Sequence, residues 1–210
     1  MIFFQISSYS VVIPVILGIL YFKNRTNALK ILSAFVVVGL LTELINNICF
    51  YNQINNMPVF HVYTYIEFTV ISSIFFLILE SKRLKMTVIG LMLAFYIFSA
   101  INLIYWESLI DFNSNQFAVE ALIIFTYCIT YYSQLMKNPE IIHLENHPYF
   151  ILVSGYFIYF SGTFTLFISS KELLLTNNEG YWMLNSILNT LLNITYAIVL
   201  WKSRKKLASY

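Results

Sequence analysis

Four ionisable side chains stand inside long apolar stretches of this sequence: Glu43, His61, Glu67 and Glu120. The densest run, from Thr42 to Phe68, reads TELINNICFYNQINNMPVFHVYTYIEF and adds Asn46, Asn47 and Tyr65. An acidic side chain at the centre of a lipid-embedded helix costs about 2.5–3.5 kcal/mol on insertion scales. Such groups therefore have partners or a task. No Lys or Arg lies within the apolar stretches to neutralise them. They must be protonated, hydrated, or matched to His61, to asparagine or tyrosine, or to a bound cation. The chemistry open to this set is proton exchange, cation binding or recognition of a polar ligand.

A second group lies near the C-terminus. At 100° per residue, Trp182, Asn185, Ser186, Asn189, Asn193 and Tyr196 share an arc of about 100° on one helix. The opposite face, Leu184, Ile187, Leu191, Ile194 and Ile198, suits lipid. Asparagines on such a stripe either join helices, at about 0.6–2 kcal/mol each, or line a site. Gly39, Glu43, Asn46 and Asn47 form one helical face, and Gln116, Glu120, Tyr127, Tyr131 and Gln134 another. His61, Thr64, Tyr65 and Ser72 share a third face, and Tyr63 with Glu67 lie on another face of the same helix. The candidate ligand-binding or ion-coupling residues are thus Glu43, Asn46, Asn47, His61, Tyr65, Glu67, Glu120, Trp182, Asn185 and Asn189. Ser154-Gly155 and Ser161-Gly162 recur seven residues apart, which places small side chains where helices approach closely.

Neither a metal nor a cofactor is expected. One histidine with carboxylates is a permissible zinc or manganese set, but no ligand spacing is recognisable. His143 and His147 lie four apart in KNPEIIHLENHP, where Pro139 and Pro148 bracket what reads as a solvated turn. A GxSxG elbow, an HExxH helix, a Walker-type loop and a Gly-rich nucleotide fingerprint are all missing. The last apolar segment holds no lysine for a Schiff base. No catalytic residue is assigned, and no nucleic-acid partner.

The elements that must position these residues follow from composition. The 210 residues are 59% hydrophobic and 10% charged, with mean hydropathy +0.73. A soluble domain carries about 25% charged residues, so this chain belongs in a bilayer. A spanning helix takes roughly 20 apolar residues. Seven segments qualify: 3–22, 31–50, 59–79, 87–106, 116–136, 149–169 and 181–201. The fold expected is all-α, a single domain over 1–210 built as a bundle of seven transmembrane helices. The first segment has no basic leader or cleavage site and is read as a retained helix. Cys49 and Cys128 sit in apolar segments and are read as unpaired.

Eleven of the twelve Lys and Arg fall in alternate connectors and the C-terminal tail, and only Lys171 falls on the other side. That asymmetry predicts an outward N-terminus and a cytoplasmic C-terminus. Trp106, Trp182 and Trp201 fall at predicted interfaces. The polar faces then converge in the outer half of the second, third, fifth and seventh segments.

The favoured reading is a ligand-sensing, receptor-like module for a small molecule or cation, acting through a separate cytoplasmic partner. A proton- or cation-coupled transporter using Glu43 and Glu67 is the alternative. An intramembrane lipid-processing enzyme ranks last. The Ile-, Asn- and Lys-rich composition points to a bacterial inner membrane.

Overall fold

The computed structural model describes residues 2–137, 147–168 and 179–204. Its helices are α1 (Ile2–Ser10), α2 (Val12–Leu20), α3 (Asn27–Tyr51), α4 (Met57–Ile78), α5 (Lys82–Tyr105), α6 (Ser114–Lys137), α7 (Pro148–Ile168) and α8 (Glu179–Lys202). Helix makes up 87% of the structure and no strand occurs among the described residues, so the fold is all-α. Among the described residues six stretches are long and apolar enough to cross a membrane: Phe3–Leu20, α3, α4, α5, α7 and Trp182–Lys202. This is a multi-pass membrane bundle. His143, Lys171, Glu172, Lys205 and Lys206 lie outside the described residues.

The first expected helix, 3–22, is not continuous. It breaks at Val11 between α1 and α2, and ends in a 3-10 turn at Phe22–Asn24. Pro14 is the physical reason. It has no N–H to give the carbonyl of Ser10, and its ring crowds that same carbonyl. Val11 keeps helical angles (φ −65°, ψ −20°), so the break is a kink rather than a loop.

The helices close into a ring. α1 and α2 pack against α8, α2 against α3, α3 against α4, α4 against α6, α6 against α7, and α7 against α8. α5 stands outside the ring and covers the seam between α4 and α6. α6 is the helix not apolar enough to count among the six stretches, and its surroundings explain this. Its polar Gln116, Glu120, Tyr127 and Tyr131 are buried in protein, while Leu122 and Ile129 face outward. The α7–α8 contact is the closest one that glycine makes possible. A Cβ on Gly155 would stand 2.5 Å from Thr195 Cγ2, and one on Gly162 would stand 2.8 Å from Leu188 Cδ1. The two glycines let α8 approach, whereas Ser154 meets Tyr132 of α6 at 3.0 Å and Ser161 is exposed.

The helices alternate in direction. Thr26 Oγ1 meets Tyr149 OH at 2.6 Å, and the Glu80 N–H donates to Gln134 Oε1 at 2.9 Å. These contacts gather the α2–α3 and α4–α5 connectors at one end. At the other, Asn55 Nδ2 donates to Ile110 O at 3.0 Å and ties the α3–α4 connector to the α5–α6 connector. The α3 helix turns into its connector through a C-terminal cap: Gln53 takes φ 56°, and the Ile54 N–H returns to Cys49 O at 2.9 Å.

Arg25 locks the first of these ends. It flanks the first segment in sequence, yet in the structure only 6% of it is exposed. Nη1 donates to Gly18 O at 2.9 Å and to Ser33 Oγ at 2.6 Å. Nη2 donates to Leu17 O at 2.8 Å and to Leu200 O at 3.0 Å. A cation beside two helix C-termini also meets the negative ends of both dipoles. Burial lowers its pKa from the ordinary value, but a guanidinium stays charged. One side chain thus joins α2, α3 and α8. Arg25→Ala is expected to cost on the order of 3 kcal/mol, with Arg25→Lys in between, because lysine lacks the planar fork. Denaturant unfolding in detergent measures both; wild-type stability in the alanine variant would remove the clamp.

Candidate functional site

A cavity of about 610 Å³ opens inside the ring at the end opposite Arg25. Five of the seven ring helices, α1, α3, α4, α7 and α8, expose polar groups to it. α3 contributes Gly39, Thr42, Glu43, Asn46 and Asn47, one face of the helix as its spacing requires. α8 contributes Trp182, Asn185, Ser186, Asn189 and Asn193, while Leu184, Leu191, Ile194 and Ile198 on its far side are exposed. α4 brings Phe60, Tyr63, Thr64 and Glu67, and Asn56 at its start. The kinked first span adds Ser7, Ser8 and Val11. Tyr159 and Phe167 of α7, Phe117 of α6, and Phe112 and Asn113 of the α5–α6 connector complete the wall. No residue of α5 takes part, as its place outside the ring dictates.

The acids differ in their surroundings. Glu43 accepts a 2.9 Å hydrogen bond from Ser8 Oγ. Glu67 lines the cavity, is 3% exposed, and has no hydrogen-bond partner among the described residues. Glu120 is fully buried behind the wall, with neither carboxyl oxygen hydrogen-bonded. Tyr63 and Tyr159 lie within charge–charge reach of all three carboxyls, which places the acids around one region. No Lys, Arg or His lines this cavity among the described residues.

Seven of the ten candidate residues therefore meet at one surface: Glu43, Asn46, Asn47, Glu67, Trp182, Asn185 and Asn189. The other three do not. Tyr65 turns toward α5, with its ring 6.2 Å from Phe95 and 6.4 Å from Tyr96. Glu120 sits behind the wall. His61 is 2% exposed and faces α6 and the α5–α6 connector. Its Nε2 is 3.1 Å from Asp111 O, a carbonyl that can only accept, so Nε2 carries the proton. Nδ1 lies 3.1 Å from the Gln116 side-chain amide, which donates to it when its NH₂ group is turned to the ring.

His61 thereby holds a strap. This strap, residues 106–113 between α5 and α6, supplies Phe112 and Asn113 to the cavity wall. Asn113 Nδ2 donates to Thr64 Oγ1 at 2.7 Å, and Phe112 stacks on Phe167 at 5.4 Å and meets Trp182 edge-on at 5.6 Å. At its base the Asn115 N–H donates to Glu107 at 3.0 Å, in the first turn of α6, and Asn102 Nδ2 donates to Glu107 Oε2 at 2.9 Å. A carboxylate there suits the positive helix end.

Sequence reasoning missed Ser7, Ser8, Asn113, Tyr159 and Arg25. The serines carried a signal, since they interrupt an otherwise apolar segment. Tyr159 carried none, because α7 is aromatic on most of its faces. The asparagines of α8 turn out to both line and join. Asn189 Nδ2 donates to Ser7 Oγ and Asn193 Nδ2 to Ser10 Oγ, each at 2.8 Å, binding α8 to α1. Among the described residues no group of three or more His, Cys, Asp or Glu is placed to hold a metal ion.

The chain matches no protein-family model, no curated protein and no solved structure.

If His61 latches the strap, His61→Ala should let water-borne reagents reach the wall more easily. A cysteine placed at Asn185, in a Cys49→Ser background, is expected to react several-fold faster with a methanethiosulfonate once His61 is replaced. Equal rates would mean that the other strap contacts suffice without it.

Proposed function

We propose that this protein is a ligand-sensing, receptor-like membrane module that takes a small molecule or cation into its cavity and acts through a separate cytoplasmic partner. The observation that carries this reading is the one-sidedness of the bundle. Polar walls surround the cavity at one end. Beyond it Phe35, Phe68, Ile71, Ile74, Phe75 and Tyr156 are almost wholly buried and fill the space between the helices. A pocket above a solid core suits binding followed by a helix shift, and Arg25, which ties α2, α3 and α8 together, lies where such a shift would arrive.

The orientation belongs to the same proposal. Every described Lys and Arg lies at the Arg25 end, and the cavity end has Glu107 and Asp111. With seven spans, counting α1 and α2 as one and α6 as another, the positive-inside rule turns the cavity outward and the C-terminus to the cytoplasm. The bilayer we assign is a bacterial inner membrane, on composition. In intact cells, an impermeant thiol reagent should label a cysteine introduced at Asn55 and spare one introduced at Ser81; the reverse pattern would invert the bundle.

Coupled transport is the second reading, favoured by one feature. The first span is interrupted at Val11, and Ser7, Ser8 and Val11 line the cavity. Discontinuous helices beside a polar site are a mark of transporters. Purified protein in proteoliposomes separates the two. For the receptor-like module, Glu43→Gln should change the affinity of a thermal-shift ligand by about tenfold with no proton flux in either protein. A proton flux in the wild type that Glu43→Gln or Glu67→Gln abolishes would instead establish coupled transport.

A further inference from the structure

We infer that the ligand of this cavity is a small organic cation, an ammonium ion carrying apolar substituents; the inference rests on the binding reading above. Three features of the wall point to it together. The first is charge. Glu43 and Glu67 line the cavity, Glu120 lies behind it within charge reach of Glu67, and among the described residues no basic side chain lines it. Glu67 is almost wholly enclosed, lines the space, and has no hydrogen-bond partner among the described residues. A cation entering this space favours the ionised form of these carboxyls and pairs with it, which an anion cannot do.

The second feature is the aromatic surface. Phe60, Tyr63, Phe117, Tyr159, Phe167 and Trp182 stand on the same wall as the acids. Phe117 and Phe167 stack at 3.7 Å, and Phe167 stacks in turn on Phe112, so the rings form a joined platform rather than isolated contacts. Aromatic faces attract ammonium groups and also bury the carbon attached to them. The third feature is size. A space of about 610 Å³ lies within the range of small-molecule sites, roughly 300–1,000 Å³. A bare metal ion would need several oxygen ligands converging within bond distance. The described residues place no such group of three or more acids, cysteines or histidines together.

The asparagines fit the same ligand. Seven of them line the cavity, and the Asn185 side-chain oxygen is buried without a hydrogen-bond partner. An amide oxygen of this kind accepts from an N–H of a primary or secondary ammonium. Glu67 and Asn185 supply the acceptors and the rings supply the apolar lining.

The test uses the full chain in lipid nanodiscs and reads thermal unfolding against concentration. The probes are methylammonium, putrescine and benzyltrimethylammonium, with benzyl alcohol and glucose as uncharged comparisons. At least one ammonium ion should raise the unfolding midpoint saturably, and benzyl alcohol and glucose should not. Glu67→Gln, which keeps the side chain's shape, should weaken that ammonium by at least about tenfold. Trp182→Phe, which keeps a ring in place, should weaken it less. Saturable binding of an uncharged probe with none by the ammonium ions would overturn the cation and leave the binding reading standing. The same holds for an affinity unchanged in a folded Glu67→Gln protein. Saturable binding by neither class would overturn both.

Discussion

Lipid offers a polar side chain nothing to bond with, and the whole bundle is arranged around that constraint. Each helix carries polar groups it cannot show to hydrocarbon, so each turns them inward. Inward they have two fates. At one end of the ring they find partners, as when Arg25 takes four acceptors from three helices. At the other end the Asn185 oxygen and both Glu120 oxygens find none among the described residues, and there the ring stays open around a cavity. The closed end is tied by hydrogen bonds between helices, and the cavity lies at the other.

This division explains why the bundle is not uniform along its length. The tight half is possible because Gly155 lets α8 approach α7 without a side chain between them. The open half is held apart by the bulk of its own wall: phenylalanines, tyrosines and a tryptophan too large to collapse onto one another. Serine and asparagine bonds between α1 and α8 then close the ring where packing alone would leave a gap.

Placing α5 outside the ring has a consequence for the site. The helix before the strap is peripheral, so the strap crosses from the outside of the bundle to α6 and must pass over the α4 terminus. Its anchoring falls to groups that are already buried, namely His61, Thr64 and Glu107. His61 thus acts on the cavity through Asp111 and the strap. A histidine read from sequence with the candidate set contacts the strap instead of lining the cavity.

Much of this was legible before any coordinates. Hydropathy marked the helices to within a few residues, because lipid demands a run of apolar side chains whatever the neighbours. Helical periodicity put Glu43 with Asn46 and Asn47, and Trp182 with Asn185 and Asn189, since residues three and four apart share a face in any helix. What periodicity cannot state is which neighbour a face meets. Tyr65 lies four residues from His61 and belongs to the same polar face, yet α5 and not the cavity covers it. Arg25 counted with the flanking basic residues, and only the close passage of α2, α3 and α8 made it a buried clamp. Glu120 lies one turn from Phe117 on α6, but the ring's curvature leaves the phenylalanine on the wall and the acid behind it. Faces are a local property of the chain; neighbours arise from closing the ring, and that depends on every helix at once.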